Sequence, residues 1–135
     1  MTVPSSDEQE LENWFFENVS TDKKQVFKKF EMTISVMQDA DSLRRVAYEA
    51  VEDLVEDGVV YGELRYAPLQ HLQGKLSSQE VVDAVSIGIK DGQKDFGGEY
   101  YTILCAMRQH KNSTEVAELS LIHNSEPTRL RSIAY

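Results

Sequence analysis

One twelve-residue segment, DGVVYGELRYAP (57–68), constrains the fold most strongly, because it predicts the end of a helix followed by a strand. Gly58 suits the end of a helix, residues 59–66 suit a strand, and a proline then closes it. Glu63 and Arg65 are two residues apart, so both point to the same face of that strand. A charge inside a buried strand is costly unless it is paired, so that face either is in water or lines a polar site.

Hydrophobic periodicity surrounds this strand with helices and predicts one further strand. In chain order we predict helices over 7–19, 22–37 and 42–57, a strand over 59–66, a helix over 78–92, a strand over 100–107 and a helix that begins near 113. The second strand is almost continuously apolar, which is typical of a strand covered on both faces. Two strands joined by a helical crossover should lie parallel, so the pattern predicts an α/β fold.

Capping residues predict three of the helix boundaries. Asp7 is a candidate N-cap for the first helix, and Ser77 with Glu80 forms a capping-box pattern before the 78–92 helix. Either Gly92 or Gly97 marks the end of that helix.

Two strands are too few for a stable parallel sheet, because such sheets usually contain several strands with both faces covered. The chain has 135 residues, of which 41% are apolar, enough for one small domain. An eight-stranded α/β barrel needs roughly 250 residues. We therefore expect a slice of a larger protein, with open sheet edges that make it poorly soluble.

The last sixteen residues, 120–135, differ from the rest of the chain. They lose the helical period of the preceding segment and contain Pro127. The segment resembles the translated sequencing-adaptor tails of some metagenomic gene sequences, and a genuine irregular C-terminus is the alternative. We expect a barrel portion over 1–119 and an irregular tail over 120–135.

Charge and cysteine content narrow the classes of partner and compartment. The net charge of −9 argues against binding to nucleic acid or to anionic membranes. The one basic cluster, Lys23, Lys24, Lys28 and Lys29, has helical spacing and indicates a solvated helix face rather than a phosphate site. Cys105 lies in an apolar run and is expected to be a buried, inert thiol. A polar N-terminus and the lack of an apolar run of ~20 residues favour a cytoplasmic protein without a membrane span.

An ordered set of short segments points to a family. The segments are Asn13–Phe15, Phe30, Ile34–Gln38, Leu43–Glu49, Glu52–Asp53, the 57–68 segment, Leu76–Ser77, Glu80–Val85, Ile103–Arg108 and Ser113–Leu119. Taken together, residues 11–119 resemble bacterial adenosine deaminases, especially the actinobacterial ones. No single segment is specific enough to establish the resemblance. The order and spacing of the whole set of segments establish it.

The resemblance implies a partial TIM barrel and a zinc-dependent hydrolysis of adenosine to inosine and ammonia. In that family the zinc ligands are a His-x-His pair on the first strand, a later histidine and a late aspartate, and a glutamate of a His-Ala-Gly-Glu motif is the general acid. None of these motifs occurs here, and the histidines, His71, His110 and His123, are isolated. We therefore expect zinc in the full-length proteins, none bound by this chain, no catalytic residue within it, and a purine nucleoside as the substrate of the whole protein.

The resemblance also implies substrate contacts. The family's pocket is walled partly by the helix that matches 22–37, which points to Phe27 and Phe30, with Val26 as a third candidate. Met107, at the end of the second strand, would face the pocket. Ordinary core packing is the alternative for each. Arg65 and Arg108 are expected to pair with carboxylates, Glu63 being one candidate, and to be structural.

Other functions compete with this one. His71 and His110 each follow a predicted strand and could be two metal ligands, but no third ligand is evident. A related purine or AMP deaminase is a second hypothesis. A non-catalytic α/β interaction module, which binds a partner through an exposed apolar edge, is a third, and it predicts a soluble folded monomer.

Overall fold

The computed structural model describes residues 3–16, 23–122 and 129–132, and the chain divides into two compact units, 1–36 and 37–135. The first unit contains helices α1 (Glu8–Phe16) and α2 (Lys23–Ser35). The second contains α3 (Ala40–Glu56), β1 (Tyr61–Tyr66), a short 3₁₀ helix (Pro68–His71), α4 (Ser78–Phe96), β2 (Glu99–Ala106), α5 (Ser113–Ile122) and β3 (Arg129–Ser132). None of the helices in these described ranges is both long enough and apolar enough to cross a membrane.

Contacts of Lys29 connect the two helices of the first unit. Its ammonium donates a hydrogen bond to the carbonyl oxygen of Phe15 at 2.6 Å and lies 5.9 Å from the ring centroid of Trp14. Asp7 caps α1 as predicted, since its carboxylate accepts from the amide of Glu10 at 3.0 Å. Lys29, one member of the basic cluster, is therefore a structural contact.

The sheet of the second unit has the order β1-β2-β3, and both pairs are parallel. Tyr61 lies opposite Glu99, and the register continues to Tyr66 opposite Leu104, with α4 as the crossover. The two predicted strands and their parallel pairing are confirmed. The third strand, β3, lies in the segment expected to be an irregular tail, and the division at residue 119 stays a prediction.

Two glycines of α4 set how closely it packs against α3. A Cβ atom on Gly88 would lie 2.3 Å from the carbonyl oxygen of Arg44, and one on Gly92 would lie 2.8 Å from the Cβ of Val51. Gly92 therefore serves helix packing and does not end the helix. Gly97, with φ of 87°, follows the last residue of α4 and is the terminator of the two predicted candidates.

The core lies between these helices and the sheet. Its main cluster comprises Leu43, Ala47, Val51, Val81, Ala84, Val85, Ile89 and Tyr100. Leu64 and Tyr66 of β1 pack against this cluster, so Glu63 and Arg65 point to the opposite face, as the strand period requires. In β2, consecutive residues from Thr102 to Cys105 are all buried, which confirms a strand covered on both faces.

Replacement of Gly88 by alanine tests the close contact of α3 with α4. We expect Gly88→Ala to lower the free energy of unfolding by about 1–2 kcal/mol. The clash with the Arg44 backbone at 2.3 Å places the cost of overpacking at about 2–3 kcal/mol, the upper part of its usual range, and the gain in helix propensity offsets about 1 kcal/mol of it. Urea denaturation followed by circular dichroism measures the difference. Ile87→Ala, at an exposed position of the same helix, should change stability by less than about 0.5 kcal/mol. Equal stability of Gly88→Ala and wild type would contradict the packing.

Candidate functional site

The C-terminal ends of β1 and β2 meet at one edge of the sheet, because the two strands are parallel. Residues 67–77 follow β1, and residues 107–112 follow β2. In α/β barrels the functional residues come from the loops at this end of the strands. The loops after β1 and β2 are therefore the part of the second unit in which a site is sought.

The predicted substrate contacts fall in both units. Phe27 and Phe30 are 63% and 62% exposed and lie three residues apart on α2, so they are neighbours on the helix surface. Val26 is 43% exposed.

Met107, the other predicted substrate contact, belongs to the second unit, directly follows β2 and is half-buried. The role of all these side chains in binding a substrate stays a prediction, as does the pairing of Arg65 and Arg108. Glu63 accepts a hydrogen bond from the hydroxyl of Tyr61 at 3.2 Å.

A set of contacts around Gln38 holds the loop after β1, and we call it the Gln38 clasp. The side-chain amide of Gln38 donates to the carbonyl oxygen of Gln70 at 3.0 Å, and its oxygen accepts from the amide of Gln73 at 2.9 Å. Gly74 allows the approach, since a Cβ there would lie 2.6 Å from the carbonyl oxygen of Gln38. The sequence does not predict this clasp, because residues 69–76 lie between the predicted strand and the predicted helix and carry no periodic pattern. The available signal was Gly74, because a loop glycine often marks close backbone contact.

His71 completes the clasp from the 3₁₀ helix. Only 5% of the residue is exposed, and its Nδ1 lies 2.8 Å from the carbonyl oxygen of Met37. A carbonyl oxygen can only accept, so Nδ1 carries the proton and Nε2 keeps its lone pair when the ring is neutral. Burial lowers the pKa of His71, and the bond to Met37 opposes that shift in part. His71 is therefore an uncharged structural donor at neutral pH.

The donor set of the described residues does not fit a zinc ion. Among residues 3–16, 23–122 and 129–132, no three histidine, cysteine, aspartate or glutamate side chains come together as a zinc site requires. One nitrogen of His71 is committed to Met37. Cys105 is buried, and burial raises the pKa of its thiol although the charge of Arg65 opposes the shift. These residues therefore offer no metal through which a chemical step could run.

An apolar cavity of about 230 Å³ lies between α3 and β1. Its walls include Leu43, Val46 and Leu64, and Tyr66 and His71 also line it. The Tyr66 hydroxyl is buried and has no hydrogen-bond partner within the described part of the chain. Burial raises the pKa of that hydroxyl, so it stays protonated and is a potential donor. Apart from the strand assignment, no sequence pattern predicts this buried hydroxyl.

A larger groove of about 440 Å³ lies on the outer surfaces of α3 and α4 and is polar. Arg44 bonds Asp91 through its Nε at 3.0 Å, and the Tyr48 hydroxyl donates to Asp95 at 2.7 Å. That hydrogen bond raises the pKa of Tyr48 to about 12. These pairs cross from one helix to the other, so the groove is best explained as a helix–helix contact rather than a site.

The buried His71 predicts a dependence of stability on pH. Its pKa is lowered from 6.5 in the folded protein, so the unfolded chain binds more protons below about pH 6.5 and stability falls as the pH drops through that window. We expect wild type to lose more unfolding free energy than His71→Gln between about pH 7.5 and about pH 5.5. Urea titrations at both values, with His110→Gln as the control, measure the difference. Parallel losses in wild type and His71→Gln would show that His71 titrates normally.

Comparison with known proteins gives the chain a family. Residues 1–128 match the family model described as adenosine deaminase. Two adenosine deaminases, from Mycobacterium avium and Streptomyces coelicolor, are each 41% identical to it, over 88% and 87% of this chain. The chain spans about a third of their length, 34% and 31% respectively.

Solved structures show the fold. An adenine deaminase from Arthrobacter aurescens superposes on the whole chain with a TM-score of 0.77 at 18% identity, and the match covers 41% of that protein. An Arabidopsis N6-mAMP deaminase matches 81% of this chain and 36% of its own with a TM-score of 0.69 at 22% identity. The parallel strands with flanking helices are thus part of the TIM barrel of such deaminases. On its match to the family model and its 41% identity to actinobacterial enzymes, this chain belongs to the adenosine deaminase family.

Proposed function

We propose that this chain is a portion of an adenosine deaminase, which hydrolyses adenosine to inosine and ammonia in purine salvage. The observation that carries the proposal is the 41% identity to adenosine deaminases over most of the chain. The order of strand, crossover helix and strand, with its loops at one sheet edge, supports it. The barrel portion is proposed to be 1–119, with 120–135 as a separate tail, in a cytoplasmic protein.

The proposed contribution of this chain to the enzyme is substrate binding. Phe27 and Phe30 present two neighbouring exposed rings on α2, and an aromatic face suits the π-face of a purine. Met107 follows β2 at the end of the strands where barrel sites form, and its flexible thioether suits an apolar contact. These three side chains are proposed to contact the base and not to take part in proton transfer.

The hydrolytic chemistry is proposed to depend on residues outside this set. Zinc supplies an activated water in this family, and a carboxylic acid protonates the purine ring. The described residues form no zinc site. Since the chain spans about a third of the relatives' length, we assign the zinc ligands and the general acid to the rest of a protein of that length.

Enzyme assays on two forms of the protein test the proposal. We expect the 135-residue chain to release no inosine from adenosine, because it lacks the family's ligand and acid motifs. An extended protein, expressed from the same locus with its flanking coding sequence and zinc, should convert adenosine and act less well on AMP. Chromatography of the nucleoside products measures both. Inosine formation by the 135-residue chain, or a preference of the extended protein for AMP, would contradict the proposal.

Truncation of Phe30 tests the substrate contact. In the extended protein, Phe30→Ala should raise the KM for adenosine about tenfold, because loss of a base–aromatic contact costs about 1–3 kcal/mol. The kcat should change little, since the ring is proposed to bind the base equally in the ground and transition states. Phe16→Ala, at a residue of α1 that is 75% exposed, is the matched control and should leave the KM unchanged. An unaltered KM for Phe30→Ala would remove this residue from the site.

A further inference from the structure

The Gln38 clasp joins two segments that are more than thirty residues apart in the chain. Three hydrogen bonds of 2.8–3.0 Å connect Met37 and Gln38 with Gln70, His71 and Gln73. Both ends of the Gln38 amide are used, and a donor and an acceptor of the opposite loop are satisfied at once. A single side chain therefore fixes both the spacing and the register of the two segments.

The two segments that the clasp joins lie at the site end of the sheet and just after α2. Residues 70–74 belong to the loop that follows β1, at the end of the strands where barrel sites form. Met37 and Gln38 follow α2 almost directly, since that helix ends at Ser35. The clasp therefore anchors the segment of Met37 and Gln38 to the loop after β1.

We propose that Gln38 and His71 are positioning residues that hold the loop after β1 in its place at the site. The proposal rests on the proposed function, because it assigns the loop after β1 to the substrate pocket. A displacement of about 1 Å in a binding wall weakens substrate binding even when the reacting groups are untouched. Gln38 and His71 act through the backbone and are not catalytic residues.

The clasp is suited to this role because it carries no charge. Gln38 is an amide, and burial favours the neutral form of His71. Its bonds do not depend on salt in the way that surface ion pairs do. Gly74 adds a steric condition, since a side chain there would meet the backbone of Gln38.

Hydrogen exchange of the 135-residue chain tests the anchor itself. Gln38→Leu, of similar volume, removes both amide bonds, and we expect the Gln73 amide to exchange about fivefold faster, because a hydrogen bond contributes about 1 kcal/mol. The amides of residues 37–39 should also exchange faster. Gln38→Glu keeps an acceptor for Gln73, so protection of that amide should be retained.

Gln79→Leu, which removes a bond to Asp83 on the surface of α4, is the control and should leave the exchange of both segments unchanged. Unchanged exchange of the Gln73 amide in Gln38→Leu would overturn the proposal. Faster exchange of the Gln73 amide with unchanged exchange at residues 37–39 would also overturn it.

Kinetics of the extended protein test the positioning role. Gln38→Leu should raise the KM for adenosine about fivefold and leave kcat within about twofold, with Gln38→Glu in between, because binding is weakened equally in both states. A fall in kcat with an unchanged KM, or no change in either, would overturn the role. If the extended protein does not act on adenosine at all, the proposed function fails, and the exchange experiment alone then decides whether the clasp holds the two segments together.

Discussion

The close approach of α3 and α4 is the constraint on which the second unit depends. Gly88 and Gly92 bring the backbone of α4 against α3, at a distance that no side chain would allow. With the helices this close, the small and branched residues between them, such as Ala47 and Val51, can be fully buried against α4 and Tyr100. α4 is also the crossover between β1 and β2, so its position determines the parallel register of the sheet and hence where the strand ends meet.

The strand ends are organised by neutral polar groups, whereas the charged pairs lie outside. Arg44 with Asp91 and Arg45 with Glu49 are exposed pairs on helix surfaces, where such pairs contribute little stability. At the loop after β1 the contacts from the Gln38 amide to Gln70 and between the His71 imidazole and Met37 are part-buried, and the bond from the Gln73 amide to Gln38 is exposed. A buried polar group without a hydrogen-bond partner lowers the free energy of unfolding, so the order of this loop depends on each of the buried bonds being made.

The elements of the fold were largely predictable because their signals are local. The capping box of Ser77 and Glu80 and the αL glycine at Gly58 follow from short-range stereochemistry, and both are present. The role of Gly92 was not predictable, because the same residue suits a helix end and a close helix contact. The Gln38 clasp and the orphaned Tyr66 hydroxyl depend on segments distant in sequence, and no periodicity encodes such pairs. Strand β3 fell outside the prediction because its four residues follow no alternating pattern long enough to detect.

The parallel register also has a consequence for the order of folding. Every pair between β1 and β2 joins residues about forty positions apart, so no turn can bring the two strands together early. Pairing must wait for the intervening helix to form and dock, and non-local pairing of this kind is slow. During synthesis, β1 leaves the ribosome well before its partner and must stay unpaired for seconds at ordinary elongation rates. The helical layer is therefore the template on which the sheet is assembled, and a variant that weakens α3–α4 packing should slow folding as well as lower stability.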